Sequence, residues 1–355
     1  MRRALEGIRT FVASKSCYDI LPESFRLIVF DTKLGITKSL QALVTNGVVS
    51  APLYDSTTHR FAGMFTLADV VHLIQYYYLT AHKYENVIAE VEAFQLESLR
   101  EIEQAIDVPP PPTISVHPDQ PLADACAALV RTHARRLPLV DRDDQTGKET
   151  IISVLTQYRV LKFIAINVSR KKEPRSPPAA SLGVSDRFWP LSTATMQTSV
   201  FDVVHVFSER GISAVPIVDE DGVVLNLFET VDIVDLVRQN AYQVLDQTIE
   251  DALNQRSPDF TGVMTCTPAD SLASILAYVR DRRCHRFVIV EPEDVPARDG
   301  MPARKKGSLV GLLSLSDVLR FIVGHENLKG MEVPGLGELF AFFGFKTGFS
   351  TFRFR

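Results

Sequence analysis

The sequence predicts an α/β protein built from four copies of one helix–strand–strand–helix unit. An apolar strand segment that ends near Val-Asp or its counterpart occurs four times, and an amphipathic helical pattern precedes each copy. A small polar residue and a second helical segment follow each copy. Aligned on Pro52, Pro138, Pro216 and Val288, the copies lie 86, 78 and 72 residues apart. These intervals are too long for a solenoid, so we expect packed domains and not an extended array.

Each element of the unit follows from a periodicity or a turn signal. Leu122, Ala125 and Leu129 recur at helical spacing, as do Leu272 and Ile275, which predicts the first helix of a unit. The runs AVPIV and RFVIV are short and rich in β-branched residues, which predicts buried strands bounded by polar turns. Because one unit cannot cover both of its faces, we expect the units to pack in pairs.

The joints between units divide the chain into segments. Residues 108–112 read VPPPP, a stiff spacer, and residues 169–181 are charged and Pro-rich, which is typical of a linker. Residues 83–106 are predicted to form one amphipathic helix before the Pro run. The last 30 residues are crowded with Phe and form either an extension with little order or a docking segment for a partner. The segments are an N-terminal segment (1–24), repeat one (25–80), a connecting helix and Pro run (81–111), repeat two (112–167), a linker (168–190), repeat three (191–243), repeat four (258–324) and a Phe-rich tail (325–355).

Composition narrows the possible partners. The 355 residues include 38 Lys+Arg and 43 Asp+Glu, a net charge of −5, which argues against a broad basic surface for nucleic acid. Four Cys without CxxC spacing fit a reduced compartment. No uncharged apolar run reaches 18 residues, so no membrane span is predicted. We expect a cytoplasmic protein, with the nucleus as a second compartment, that binds neither nucleic acid nor membrane.

No catalytic signature is found in the sequence. Neither GxxxxGK[ST] nor a GxGxxG after a strand is present, and the eight His form no HExxH or paired-ligand spacing. No Ser/His/Asp or Cys/His arrangement can be picked out. We therefore predict no catalytic residue and no metal site.

A polar tetrad precedes the last helix of each repeat. The tetrads are Thr66–Asp69, Thr156–Arg159, Glu229–Asp232 and Ser314–Asp317. An Asp there can cap the helix, or it can accept two hydrogen bonds from a vicinal diol such as that of ribose, beside a Thr or Ser hydroxyl. Three Asp at one repeat position favour the diol. Arg159 cannot accept a hydrogen bond, so repeat two is predicted to lack a diol site.

Basic residues enter the first strand of two repeats. An isolated Arg is usually part of a surface salt bridge, but doubly basic pairs at two related positions indicate an anion held by charge-assisted hydrogen bonds. The candidates are Arg135, Arg136, His285 and Arg286, with Lys162 and Arg256 as weaker ones. Carboxylates for ribose, apolar strand edges for a base and converging cations for phosphate together predict a nucleotide site.

These motifs carry a family resemblance. Residues 14–55, 154–163 and 312–322 resemble the γ regulatory subunits of AMP-activated protein kinase, especially the fungal sucrose-nonfermenting kinase branch, and the likeness covers about residues 10–324. The repeats resemble cystathionine-β-synthase (CBS) motifs, which implies two Bateman domains assembled as a flat, pseudo-symmetric disc. The resemblance implies a non-catalytic subunit that binds AMP, ADP and ATP as ligands, with no cofactor, and that joins a catalytic α and a scaffold β subunit.

The resemblance also implies a set of site residues. Asp69, Asp232 and Asp317 would hold ribose, Ser213 and Ala214 would line the third pocket, and the basic residues would face phosphate. Repeat four matches the family pattern most completely and is the preferred site. The predicted nucleotide-binding residues are Met64, Phe65, Thr66, Leu67, Ala68, Asp69, Arg135, Arg136, Thr156, Lys162, Ser213, Ala214, Glu229, Thr230, Val231, Asp232, Arg256, His285, Arg286, Ser314, Leu315, Ser316 and Asp317.

Two other classes of function stay open at this point. One is a CBS regulator, free-standing or attached to another enzyme, that binds a different adenosyl ligand such as S-adenosylmethionine. The other is an enzyme in its own right, for which no nucleophile, metal cluster or P-loop was found. Co-purification of a Ser/Thr kinase and a scaffold subunit would distinguish the first of these from a kinase subunit.

Overall fold

A computed structural model describes residues 2–81, 94–168, 191–233, 246–256, 260, 262–296 and 303–324. The linker residues 169–190 and the Phe-rich tail from 325 onward lie outside these ranges. The labelled helices are α1 (Arg2–Ala13), α2 (Ile36–Thr45), α3 (Leu67–Ala81), α4 (Leu99–Ala105), α5 (Leu122–Arg131), α6 (Gln157–Val168), α7 (Val200–Arg210), α8 (Ile249–Asn254), α9 (Leu272–Asp281) and α10 (Leu315–Val323). The strands are β1 (Phe30–Asp31), β2 (Ser50–Asp55), β3 (Arg60–Thr66), β4 (Arg136–Arg142), β5 (Glu149–Thr156), β6 (Ala214–Val218), β7 (Val224–Glu229), β8 (Thr265–Cys266), β9 (Arg286–Val290) and β10 (Leu309–Ser314).

All four repeats have the predicted helix–hairpin–helix order. In repeats one and four a short strand pairs in parallel with the first strand of an antiparallel hairpin, giving the sheets β1–β2–β3 and β8–β9–β10. In repeats two and three the parallel contact is a single bridge, Val116 to Leu139 and Ala194 to Ile217. The four repeats found in the sequence therefore share the same order of helices and strands.

Helix starts follow the expected capping chemistry. The side chains of Ser199, Thr248, Ser271 and Ser314 each accept a hydrogen bond from the backbone N–H three residues further on. These bonds satisfy N–H groups that have no partner inside the helix, and so they fix where each helix begins.

The helix predicted over 83–106 is present over Leu99–Ala105, but the described residues before it are not α-helical. Gln95 is extended (φ −96°, ψ 161°), and a 3₁₀ turn precedes α4. The backbone N–H groups of Leu96 and Glu97 donate to Leu34 O (3.0 Å) and Thr32 O (2.9 Å). Tertiary pairing with repeat one therefore replaces the helical hydrogen bonds that the amphipathic pattern suggested. Residues 83–93 lie outside the described ranges.

Helix packing joins repeats two and four. Leu139 and Ile164 of repeat two share one buried core with Ile275 and Leu319 of repeat four. Helix α1 covers this core, and Arg9 Nε donates to Ile322 O at 2.8 Å. A second core joins repeats one and three in the same way.

Strand contacts join the other pairs of repeats. Glu149 N of repeat two donates to His59 O of repeat one (3.0 Å), and Leu309 N of repeat four donates to Gly222 O of repeat three (2.9 Å). Each repeat thus touches two others, and the four form a closed ring in the order one, two, four, three. This ring is the pseudo-symmetric disc that the resemblance implies. Within the described ranges, no helix has both the length and the apolar character needed to cross a membrane.

Candidate functional site

The tetrads occupy the same structural position in every repeat, where the second hairpin strand ends and a helix begins. Each tetrad's first residue lies across the hairpin from the residue that enters the first strand, as Ser314 does from Arg286 and Thr156 from Arg136. Cross-strand neighbours at these positions have Cβ atoms roughly 5 Å apart. In repeats two and four the fold therefore brings the start of the tetrad next to a basic residue, whereas in repeats one and three the cross-strand partner is Ser50 or Ala214.

In repeat four the Asp both caps a helix and keeps an oxygen available. Asp317 Oδ2 accepts hydrogen bonds from Ser314 N (2.9 Å) and Ser314 Oγ (2.6 Å). Its Oδ1 lies 3.7 Å from Arg320 Nη1, an ion pair beyond hydrogen-bonding distance. Ser316 Oγ donates to Gln157 Oε1 at 2.9 Å, which links the tetrad to repeat two. Capping by Oδ2 therefore leaves Oδ1 without a hydrogen bond from the described residues, in a side chain that is 8% exposed.

In repeat three the structure departs from the predicted roles. Asp232 was expected on ribose and Arg256 on phosphate, but Arg256 donates to Asp232 from Nε (2.8 Å) and Nη2 (2.6 Å). Glu229 N also donates to Asp232 Oδ2 at 2.7 Å. Burial raises the pKa of Asp232, whereas the hydrogen bonds from Arg256 act to lower it. A buried charge needs a partner, so these two predicted ligand contacts are bound to each other.

Repeat one shows a related arrangement that the sequence did not reveal. Asp69 Oδ2 accepts from Thr66 N (2.6 Å) and Oγ1 (2.7 Å), while Arg100 Nη1 lies 3.4 Å from Asp69 Oδ1 and 2.6 Å from Glu103 Oε2. His72 Nδ1 lies 3.2 Å from the other Glu103 oxygen. Burial raises the pKa of Asp69. Burial also acts to raise the pKa of Glu103, but its bonds to His72 and Arg100 hold that pKa below the usual value.

The cavity beside Asp69 is small. It measures about 130 Å³ and is lined by Gly63, Thr66, Arg100 and residues of the Pro run. Small-molecule sites typically measure roughly 300–1,000 Å³. Arg100 lies on the connector between repeats one and two, as Arg256 does between repeats three and four. A comparison of the two connectors could have identified Arg100 from the sequence.

Repeat two has no carboxylate at the tetrad position. Thr156 Oγ1 accepts from Arg159 N (3.1 Å), so the helix is capped. The Arg159 guanidinium lies against its own strand, with Nη1 at 3.3 Å from Val154 O and 3.4 Å from Ser153 Oγ. The predicted absence of a diol site in this repeat stays a prediction.

Basic side chains of repeats two and four gather in one recess, as the sequence predicted. Arg135 and His285 are reached by water, yet the surrounding protein and their neighbours' charges lower their pKa values. Partial desolvation by the surrounding protein, then repulsion from Arg286 and Arg136, lowers the pKa of Arg135. Partial desolvation and four neighbouring Arg lower the pKa of His285 to about 4. One of the four is Arg283, which sequence reasoning missed. We name Arg135, Arg136, Arg283, His285 and Arg286 the basic recess.

Arg286 has partners from repeat three. Its Nη2 donates to Ser213 Oγ at 3.0 Å, and its Nε lies 2.9 Å from Glu229 Oε1 without the angle of a hydrogen bond. At the recess edge, Lys162 Nζ lies 5.7 Å from the centre of the Tyr158 ring, which lies 5.5 Å from the His285 ring. Lys162 and Ser213 therefore lie near the basic recess, and Arg286, one of its members, is ion-paired.

Several predicted site residues belong to the core. The side chains of Phe65, Ala214 and Leu315 are buried in three separate apolar clusters. Any contact that these residues make with a ligand would therefore come from their backbone groups, and their role in binding stays a prediction. Other predicted positions have at least partial exposure, namely Met64, Leu67, Ala68 and Val231, whereas Thr230 is buried. In the part of the chain that the structure describes, no group of three or more His, Cys, Asp or Glu could hold a metal ion.

Comparison with known proteins adds to this geometry. A family model for the CBS domain matches residues 105–166 and 188–239. The Kluyveromyces lactis 5′-AMP-activated protein kinase subunit gamma is 42% identical over 325 residues, covering 91% of this chain and 93% of the relative. The Saccharomyces cerevisiae subunit gamma is 41% identical over 324 residues, covering 91% and 95%. A crystal structure of a Methanocaldococcus jannaschii protein, described as a proposed archaeal homolog of γ-AMPK, has a TM-score of 0.66 at 15% identity and covers 86% of this chain and 99% of that chain.

Proposed function

Because this chain belongs to the γ-subunit family of 5′-AMP-activated protein kinase, we propose that it is a nucleotide-sensing regulatory subunit of a Ser/Thr kinase complex. It acts by binding and performs no reaction of its own. The relatives are named as kinase subunits, which supports a complex with a catalytic α and a scaffold β subunit. We place it in the cytoplasm, with the nucleus as a second compartment, and a fluorescent fusion in cells tests that placement.

One observation carries the nucleotide proposal: Ser314 and Arg286 are cross-strand partners in repeat four. The hairpin thereby places Asp317, three residues after Ser314, near the strand residue Arg286. Asp317 Oδ1 accepts the ribose hydroxyls, and Arg286 with the rest of the basic recess binds phosphate. Charge-assisted, forked hydrogen bonds are well suited to phosphate oxygens.

The unbalanced charge of the recess supports a phosphate-bearing ligand. Repulsion among its members contributes to the lowered pKa values of Arg135, Arg136 and His285. An anion that enters the recess relieves this repulsion, so each added phosphate gains attraction. AMP, ADP and ATP share the sugar contact and differ in how many phosphates reach the recess.

Calorimetric titration of the purified full chain with AMP, ADP and ATP tests this function. We expect saturable binding of at least one of the three, and co-expression with α and β subunits should give one heterotrimer by size exclusion. S-adenosylmethionine is the comparison ligand. A chain that binds it, ignores all three nucleotides and stays apart from the kinase subunits is a CBS regulator of another kind.

A further inference from the structure

The first residue of the tetrad differs in repeat three. Thr66, Thr156 and Ser314 place a hydroxyl there, and each hydroxyl bonds to its own helix start at 2.6–3.1 Å. Repeat three has Glu229 at this position. Its backbone N–H donates to Asp232, so the local backbone contact is kept. The side chain instead extends to repeat four, where Oε1 lies 2.9 Å from Arg286 Nε.

This contact holds the residue that we assign to phosphate. The Arg286 side chain is 13% exposed and that of Glu229 is 24% exposed, so the pair is only partly screened by water. Ser213 Oγ accepts from the same guanidinium at 3.0 Å. Repeat three therefore supplies Arg286 with a carboxylate and a hydroxyl, two acceptors of the kind that a phosphate group offers.

Glu229 also acts on the rest of the basic recess. Its charge attracts Arg135, against the repulsion that Arg136 and Arg286 exert on that residue. A carboxylate in this position partly neutralises the recess before any ligand arrives. A phosphate that binds Arg286 must displace Glu229 or share the guanidinium with it at the cost of like-charge repulsion.

We propose that Glu229 is an internal anion that competes with ligand phosphate for Arg286 and so limits the nucleotide affinity of repeat four. The inference rests on the proposed function and adds to it a residue that sets affinity. It also predicts that Glu229 weakens the binding of the phosphate groups and not of the sugar, because Glu229 contacts Arg286 and not Asp317.

The test compares two substitutions of Glu229 with a control of equal charge change. Glu229→Ser restores the hydroxyl found in repeat four, and Glu229→Gln keeps the side-chain shape without its charge. Glu250→Gln removes an exposed carboxylate that contacts Gln197 at 3.0 Å. Binding of AMP, ADP, ATP and adenosine to each full-length variant is measured by calorimetry, and folding is checked by urea denaturation.

We expect both Glu229 variants to bind AMP, ADP and ATP roughly twofold to fivefold more tightly, the range of a partly exposed ion pair. Adenosine affinity and the Glu250→Gln variant should be unchanged. Equal or weaker nucleotide binding by folded Glu229→Gln overturns the inference, as does an equal gain for adenosine. A wild-type chain that binds none of the nucleotides overturns the proposed function and this inference together. A wild-type chain that binds nucleotide, with Glu229 variants that gain no affinity, overturns this inference alone.

Discussion

Arg256 binds both carboxylate oxygens of Asp232, with Nε 2.8 Å from Oδ1 and Nη2 2.6 Å from Oδ2. Arg256 Nη1 also donates to Asn226 Oδ1 at 3.1 Å, and Nη2 donates to Leu227 O at 2.7 Å. The guanidinium thus uses most of its donors inside repeat three. The pair fastens the connector that precedes repeat four to the strand and helix start of repeat three, a structural role in the place where a ligand contact was expected.

Arg256→Gln should therefore destabilise the fold. Both side chains are 9% exposed, and removing one partner of a buried pair typically costs about 3–5 kcal/mol because the other charge is left uncompensated. Urea unfolding measures the change. Arg280→Gln is the matched control: its pair with Asp281 is 37% and 59% exposed, and such exposed pairs add little to stability. Equal small losses for both variants would show that the Arg256 pair adds little to stability.

Asp317→Ala should weaken AMP, ADP and ATP about equally, because the carboxylate contacts the sugar that all three share. Losing charge-assisted hydrogen bonds costs about 1.5–3 kcal/mol, or roughly tenfold to a hundredfold in affinity. Calorimetry with each nucleotide checks this. The same residue accepts two hydrogen bonds at the helix start, so stability is measured alongside, with an expected loss of about 0.5–2 kcal/mol. Asp232→Asn should leave nucleotide affinity unchanged, since Arg256 already holds that carboxylate.

Arg286→Gln should weaken the binding of phosphate without weakening the binding of the sugar. We expect a strong loss of AMP affinity, little change for adenosine, and a weaker dependence of AMP binding on salt, since screened attraction supplies less of what remains. Titrations at two ionic strengths measure both effects. An equal loss of affinity for AMP and adenosine would show that Arg286 is a structural partner of Glu229 and does not bind phosphate.

The sequence predicted local structure better than contacts between segments. Periodicity and turn residues gave the hairpins and the helix starts because these depend on neighbours a few positions away, as Asp317 depends on Ser314. The helix predicted over 83–106 is interrupted before α4 because Leu96 N bonds to Leu34 O, more than sixty positions earlier. The contact between Arg100 and Asp69 was not predicted for the same reason. Such pairs are set by packing, and no spacing within one segment encodes them.

Assignment of the site residues shows the same division. Position in the repeat pointed to Arg135, Arg136, His285 and Arg286 as candidates, and the packing of repeats two and four brings these residues near one another. It could not show that Asp232 would be bound by Arg256, since a carboxylate available to a ligand and one held by an ion pair look alike in a sequence. Arg283 was missed because it lies before the strand, outside the aligned pair.

The last prediction concerns protons. His285 has a pKa lowered to about 4, first by burial and then by the charges of Arg136, Arg283, Arg286 and Arg135. It is therefore neutral near pH 6 in the free protein, whereas an unperturbed His in the unfolded chain has a pKa of about 6.5. Between these two values the unfolded chain binds more protons, so stability should fall as the pH drops from about 6.5 toward 4.

A phosphate in the recess offsets the repulsion and raises the pKa of His285, so nucleotide binding should take up protons in this window and tighten as the pH falls. Calorimetry at pH 6 in two buffers of different ionisation enthalpy measures the net proton exchange. The ligand's own phosphate also titrates at about pH 6, so the uptake by His285 is the difference between the wild-type chain and His285→Gln. The same buffer dependence in both chains would mean that the ligand's phosphate does not reach His285.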